Sequence, residues 1–216
     1  MARTLSLVGR LKRLPRTGWL DRGVPAASTE SVADHAFRVA LLAWMVATER
    51  TADGDAAVDP ARVLLLALAH DLPEAIAGDP TPYAPEDIPP DRDPDARRAF
   101  LDRRQKREPA RAAAKRDAEG AALGQLLAGL PAGIAGGLRD AWREYEEQRT
   151  LEARLVKQAD RLETYLQSRE YLAGNPELPM GSFALEVADP AMLTDATMRE
   201  LRDAMTRLTA APDADR

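Results

Sequence analysis

With 216 residues, a formal net charge of -5 and no cysteine, the chain is expected to form one domain, and disulfides, thiolate metal ligands and cysteine nucleophiles are excluded. The acidic balance disfavours a general nucleic-acid-binding protein, which would normally be basic. No apolar run reaches the roughly 18 residues that a membrane span needs, and the N-terminus lacks a secretory signal pattern, so we expect a cytoplasmic protein that binds neither nucleic acid nor membrane.

Helical patterns dominate the first third of the chain. A first helix is predicted over residues 3–14, followed by a turn over residues 16–19. A second helix is predicted from Thr29 or Ser31 to about residue 50, because Ser31 and Asp34 have the spacing of a capping box, with Asp in place of the usual Glu. A loop over residues 51–59 follows.

The third predicted helix begins at Pro60, a residue favoured in the first turn. Residues 63–69 are apolar on every side of the helix, which predicts a buried central element. The helix is expected to end at His70 and Asp71, because Pro73 disfavours helical geometry at the residue before it. This histidine and aspartate would therefore lie where a buried helix stops.

The rest of the chain is predicted to be helical after an irregular loop over residues 78–94. Helices are expected over residues 95–107, 110–129, 132–147, 150–173 and 191–209, and no β-strand can be placed. Ala and Leu are in excess while aromatic residues make up only 5% of the chain, a composition typical of helical proteins. The sequence thus predicts an all-α, single-domain helical bundle over residues 1–216.

The chain has only two histidines, and both lie on apolar helical stripes. His35 shares its stripe with valine and leucine residues at helical spacing, and His70 closes the apolar run of the third helix. A buried imidazole needs a partner for each ring nitrogen, and a metal ion is one solution. For either histidine alone, a core residue bonded to a carbonyl or carboxylate is the simpler interpretation.

Four acidic residues accompany these histidines. Asp71, Glu74 and Asp79 crowd the end of the third helix, and carboxylates are rarely buried without a cation or a donor. Asp160 lies at the edge of the apolar face of the helix over residues 150–173, where an ion pair with Lys157 or a neighbouring arginine is the alternative role. Two imidazoles with two carboxylates suit Mn²⁺, Co²⁺, Fe²⁺ or Zn²⁺.

The ordered set ESVADH (residues 30–35), AHD (69–71), Glu74, GD (78–79) and KQAD (157–160) resembles the HD-domain superfamily. More narrowly, it resembles the HD-domain 5'-nucleotidases, and RTGW (16–19) and WREYE (142–146) extend the resemblance to residues 5–172. The segment after Gly174 matches poorly and is expected to be a helical extension over residues 177–210.

The resemblance implies a role for each matching residue. Glu74 matches the catalytic acid or base, Asp79 matches an acid that positions water and substrate, and Trp19 matches a residue that lines the sugar pocket. Gly18 stands where the bacterial enzymes have arginine, so Arg16 is the candidate for the phosphate contact, with a solvated arginine as the alternative. The ligands of one divalent ion, with Mg²⁺ also possible, are matched by His35, His70, Asp71 and Asp160.

The function implied is metal-dependent hydrolysis of nucleoside 5'-monophosphates, with deoxyribonucleotides as the favoured class. Three alternatives stay open: hydrolysis of another small phosphomonoester, nucleotide binding without catalysis, and nucleic-acid binding through basic stretches at residues 3–22 and 97–116. Dinuclear HD phosphodiesterases and di-iron HD oxygenases require additional histidines, which this chain lacks. The resemblance also implies a homodimer.

Overall fold

The computed structural model describes residues 1–54 and 57–210, with side chains up to residue 208. All regular elements in these residues are helical, apart from one isolated bridge between Pro15 and Ser31, and the predicted all-α class is confirmed. The α-helices are α1 (Ala2–Val8), α2 (Thr17–Asp21), α3 (Val32–Ala52), α4 (Pro60–Ala69), α5 (Glu74–Ala77), α6 (Pro94–Leu101), α7 (Pro109–Leu127), α8 (Ala132–Glu147), α9 (Leu151–Gly174), α10 (Gly181–Ala188) and α11 (Ala196–Ala210). Residues 55, 56 and 211–216, which belong to the predicted loop over 51–59 and the predicted domain, lie outside the described residues.

Local capping explains why α3 and α4 begin where the sequence predicts. The Asp34 N–H donates to Ser31 Oγ at 3.2 Å, and the Ser31 N–H donates to Asp34 Oδ2 at 2.8 Å, so the capping box is confirmed. At the start of α4, Asp59 accepts a hydrogen bond from the Ala61 N–H at 2.9 Å, and Pro60 occupies the first turn. The predicted end of this helix at His70 is also confirmed.

Several predicted boundaries are wrong. The first helix stops at Val8, because Gly9 has low helix propensity, and the chain tightens into a 3₁₀ helix over Leu11–Arg13. The segment predicted as a turn at residues 16–19 begins α2. Helix α6 ends six residues early, where the side-chain amide of Gln105 donates to the Phe100 carbonyl at 2.7 Å and caps the helix end. Within the extension expected to be helical over residues 177–210, only the helix over 191–209 was placed, whereas the structure has α10 before it and α11 starts at residue 196.

Helix α4 packs against α3, α8 and α9. Its residues Val63, Leu66 and Ala67 are fully buried, but Leu64 and Leu68 are 37% and 51% exposed. The prediction of an element buried on every side is therefore wrong for one face, because the neighbouring helices cover α4 from the other directions only. Two apolar side chains are left at the surface.

The main core joins α3, α4, α8 and α9 with residues of the C-terminal segment. Val187, Leu193 and Met198 are buried in the same cluster as the central helices, and full burial of each such side chain contributes about 1.5–3 kcal/mol. This packing holds α3, the end of α4 and the middle of α9 next to one another, which brings together their polar side chains. No helix within the described ranges is long and apolar enough to cross a membrane.

Candidate active site

The two histidines meet although they come from different helices. His35 of α3 and His70 at the end of α4 are both buried, with ring centroids 5.5 Å apart. The Nδ1 atom of His35 is bonded to the Glu163 carboxylate, and Nδ1 of His70 lies 2.6 Å from the Ala67 carbonyl oxygen. The Nε2 atoms of both rings are buried and have no hydrogen-bond partner. The interpretation as ordinary core histidines accounts for one nitrogen of each ring and leaves the other unexplained.

Two carboxylates lie against these unpartnered nitrogens. Asp71 Oδ2 is 3.0 Å from His70 Nε2 and 3.7 Å from His35 Nε2, and Asp160 Oδ1 is 3.3 Å from His35 Nε2. One potential ligand atom each from His35, His70 and Asp71 lies within 4.8 Å of the others. Imidazole nitrogens and carboxylate oxygens at these separations fit a single divalent ion.

The charges of the cluster are strongly coupled. Burial and the charge of Arg16 oppose protonation of His35, but Glu163 and Asp160 outweigh them and raise the pKa of His35 to about 9. Burial would raise the pKa of Asp71, yet His70, His35 and Arg16 hold that pKa below its usual value. A cation placed between these groups therefore competes with a proton for the imidazole nitrogen.

The second oxygen of Asp160 is fully occupied. Asp160 Oδ2 accepts hydrogen bonds from the Tyr145 hydroxyl and from Lys157 Nζ, both at 2.8 Å. The ion pair with Lys157 that the sequence offered as an alternative is thus present, but it uses one oxygen only and leaves Oδ1 directed at His35. The neighbouring Arg161 pairs with Glu186 instead, at 3.3 Å.

Arg16 and Asp79 lie together at the edge of the cluster. Arg16 Nε is 3.7 Å from Asp79 Oδ2, which also accepts the Thr17 N–H at 2.7 Å. The Arg16 NH1 atom is buried without a hydrogen-bond partner. Burial lowers the pKa of Arg16, but Asp79 and Asp71 outweigh this and raise it. Arg16 is therefore a half-buried cation, with its side chain 18% exposed and one buried donor atom that has no hydrogen-bond partner.

Glu74 is buried in the first turn of α5, and its backbone N–H donates to the Asp71 carbonyl at 3.1 Å. Its Oε2 atom has no hydrogen-bond partner. Burial, together with the negative charges of Asp71 and Asp79, raises the pKa of Glu74 well above its usual value. This environment therefore favours the protonated form of Glu74 more than solvent does, as suits a residue that exchanges protons during a reaction.

A cavity of about 210 Å³ opens beside Arg16 and Asp79. Trp19 borders this cavity but is only 2% exposed. Its ring packs on Phe183 with a centroid distance of 4.7 Å, and its indole N–H donates to Glu30 Oε1 at 2.8 Å. The cavity is also lined by Arg103, Arg104, Ser182 and Glu186.

The sequence profile described as HD domain matches residues 8–179 of this chain. The chain belongs to the HD-domain family. It is 35% identical to the 5'-deoxynucleotidase HDDC2 of Danio rerio over 178 residues, covering 82% of this chain and 72% of the relative. It is also 35% identical to the 5'-deoxynucleotidase HDDC2 of Homo sapiens over 167 residues, covering 77% of this chain and 66% of the relative. A conserved hypothetical protein from Pyrococcus furiosus has a similar solved structure, with 30% identity, a TM-score of 0.68 and coverage of 96% of this chain and 99% of that chain.

The HD-domain site contains side chains that the sequence reasoning missed. Glu163 and Tyr145 contact His35 and Asp160, and Phe183 of α10 supports Trp19. Glu163 follows Asp160 by three residues, so the two lie on the same face of α9, and that spacing is the one signal that could have found it. No motif in the segment after Gly174 indicated that this segment would wall the cavity.

Proposed function

We propose that this HD-domain protein hydrolyses deoxyribonucleoside 5'-monophosphates to a nucleoside and inorganic phosphate, using one bound divalent ion. The observation that carries the proposal is the convergence of two buried, unpartnered Nε2 atoms, from His35 and His70, on the carboxylate of Asp71. Each Nε2 atom lies 3.0–3.3 Å from a carboxylate oxygen, and a divalent ion between these atoms would be bound by the imidazole lone pairs and the carboxylates together. The name 5'-deoxynucleotidase, carried by the relatives, supports the substrate class.

The proposed ligands are His35, His70, Asp71 and Asp160, one atom from each. A divalent ion at this place would supply Lewis-acid activation of water and would offset negative charge on the phosphoryl oxygens. The two nitrogen ligands favour Mn²⁺, Co²⁺, Fe²⁺ or Zn²⁺ over Mg²⁺, which prefers oxygen. The identity of the ion is a question for the metal panel described below.

Arg16 is the proposed contact for the phosphate group. Its NH1 atom is a buried charged donor with no partner among the described residues, and Asp79 holds the guanidinium from the opposite side. A phosphate oxygen would satisfy this donor by a charge-assisted hydrogen bond. In this assignment Asp79 positions Arg16 and the start of α2, and the role implied by the resemblance, positioning of water and substrate, stays a prediction.

Glu74 is proposed to carry the proton. Its raised pKa lets the carboxyl group receive a proton from the attacking water and return one to the departing 5' oxygen of the nucleoside. Without this proton transfer the nucleoside would have to leave as an alkoxide, and forming an alkoxide at neutral pH is unfavourable. Glu74 therefore acts in turn as base and acid.

The nucleoside is proposed to occupy the cavity that begins at Arg16 and Asp79. This placement puts the phosphate beside Arg16 and directs the sugar and base toward Arg104 and Glu186. Trp19, fixed by Phe183 and Glu30, forms a rigid part of the wall. A rigid wall at the sugar would favour deoxyribose by excluding a 2'-hydroxyl group.

We also propose that the protein forms a homodimer through the exposed apolar faces of α3 and α4. These faces carry large apolar side chains that are between 37% and 69% exposed, namely Phe37, Leu41, Met45, Leu64 and Leu68. A contiguous apolar surface is typical of a protein-protein contact. The dimer and the cytoplasmic location both stay predictions.

The test of the proposed function is phosphate release from matched ribo- and deoxyribonucleoside 5'-monophosphates. Chelator-treated protein is assayed with Mn²⁺, Co²⁺, Zn²⁺ and Mg²⁺ in turn, and a phosphodiester serves as the control substrate. We expect release from the deoxyribonucleotides only after an ion is added, and none from the diester. Nucleotide binding without release under any metal would instead identify a binding module.

A further inference from the structure

Two carboxylates of helix α9 lie on opposite sides of the His35 imidazole ring. Asp160 Oδ1 lies 3.3 Å from His35 Nε2, while Glu163, three residues further along the helix, bonds Nδ1 of the same ring. Glu163 is fully buried. The buried face of α9 therefore places one carboxylate beside each nitrogen of His35.

Only one tautomer of His35 is compatible with both Glu163 and a bound ion. A neutral imidazole carries one proton, and the nitrogen without it offers a lone pair. If the proton is on Nδ1, it is donated to Glu163 and Nε2 is free to bind a cation. If the proton is on Nε2, the lone pair of Nδ1 faces a carboxylate and ion binding is blocked.

Arg38 holds Glu163 in place from the other side. Its Nε donates to Glu163 Oε1 at 2.8 Å, and its two terminal nitrogens bond Gln167 and Glu170, each at 2.7 Å. The guanidinium thus contacts nearly two turns of α9 through three hydrogen bonds. For His70 a backbone group takes the place of the carboxylate, because its Nδ1 faces the carbonyl of Ala67.

We propose that Glu163 is a positioning residue that keeps the proton of His35 on Nδ1 and thereby presents Nε2 to the divalent ion. Hydrogen bonds of this kind fix the tautomer and orientation of histidine ligands in metal sites generally. The inference rests on the metal site of the proposed function, but it does not depend on the substrate.

Glu163→Gln is the most informative substitution, because glutamine has the same shape but only one oxygen. If that oxygen faces His35, the amide NH₂ faces the Arg38 N–H, and two donors oppose each other in a buried place. Since Arg38 cannot lose its proton, the oxygen turns to Arg38 and the NH₂ donates to Nδ1. The ring then carries its proton on Nε2, which opposes the ion.

The test is the affinity of chelator-treated protein for Zn²⁺ alone, measured by competition with a chromophoric chelator. We expect Glu163→Gln to bind Zn²⁺ about 10–100-fold more weakly than the wild type. Arg38→Met combined with Glu163→Gln should recover most of that loss, because the amide oxygen is then free to turn to Nδ1. Glu170→Gln, which removes the charge of a different partner of Arg38, is the matched control and should bind Zn²⁺ as the wild type does.

Nitrogen NMR of the Zn²⁺-loaded wild type tests the same idea without a variant, and the presence of only two histidines simplifies assignment. We expect His35 to be protonated at Nδ1 and coordinated through Nε2. Coordination through Nδ1, or equal Zn²⁺ affinity of wild type and Glu163→Gln, would overturn the role of Glu163 while leaving the proposed hydrolase intact. A wild type that binds no Zn²⁺ would overturn the metal site itself.

Discussion

Arg22 is expected to be a major contributor to stability, although it is not a ligand of the proposed ion. The side chain is buried, and its nitrogens donate to the carbonyls of Gly18 and Pro179 at 2.9 and 3.1 Å and to the Ser182 hydroxyl at 3.0 Å. Longer contacts of 3.3 Å reach the Tyr83 hydroxyl and the Leu101 carbonyl, and the guanidinium lies 4.5 Å from the centre of the Phe183 ring. One residue thus connects α2, the end of α6 and α10.

Arg22→Met keeps most of the side-chain volume and removes every donor. The three shorter hydrogen bonds contribute about 1 kcal/mol each, and the contact with Phe183 contributes about 0.5–1 kcal/mol more. We therefore expect the free energy of unfolding to fall by about 3–4 kcal/mol. The assay is urea unfolding followed by circular dichroism in the presence of a chelator, so that ion binding does not add to the measured stability.

Arg103→Met is the matched control. Arg22 and Arg103 both border the cavity beside Arg16, but Arg103 is exposed. Its replacement should therefore change the free energy of unfolding by no more than about 0.5 kcal/mol. Equal stability of Arg22→Met and the wild type would show that Arg22 is not a major contributor to stability, because the buried acceptors would then find other partners at no cost.

Three further predictions concern other parts of the molecule. Burial raises the pKa of Glu119 despite the opposing charge of Lys115, so the charged carboxylate is less favourable in the folded state than in the unfolded chain. Glu119→Gln should therefore be more stable than the wild type near neutral pH. In urea unfolding this difference in stability should shrink as the pH falls toward 4.5, where the unfolded chain also takes up the proton. Arg16→Gln should lower kcat/KM for a deoxyribonucleotide by about 10–100-fold, because a charged hydrogen bond contributes about 1.5–3 kcal/mol, with Arg16→Lys retaining part of the activity; unchanged kinetics would remove Arg16 from the phosphate site. Leu41→Glu combined with Leu68→Glu should convert a dimer to a monomer in light scattering without lowering the melting temperature, and a dimer that persists would place the contact on another surface.

The sequence predicted those features of the fold that depend on neighbouring residues. Ser31 with Asp34, and Asp59 with Pro60, fixed the starts of α3 and α4 through local hydrogen bonds and backbone preferences. Helix α10 could not be predicted in this way, because it is short and is held by Arg22, whose contact with Ser182 spans 160 positions of the chain. Contacts of that kind leave no local pattern.

In the candidate site, too, the features that depend on neighbouring residues were predicted and the long-range contacts were not. The sequence predicted that His35 and His70 face the interior, since helical spacing determines direction, and their burial is as expected. It could not distinguish a structural histidine from a ligand, because that depends on which nitrogen remains unpartnered after folding. Glu163 escaped notice for the same reason, since its pairing with His35 depends on how α3 packs on α9.

The most direct test of the account is a crystal structure of the protein loaded with Mn²⁺, with data collected to locate the ion by anomalous scattering. We expect one peak per chain, about 2.0–2.3 Å from Nε2 of His35 and His70 and from carboxylate oxygens of Asp71 and Asp160. A loaded crystal with no peak between the two imidazoles, or with the ion bound elsewhere, would contradict the central claim.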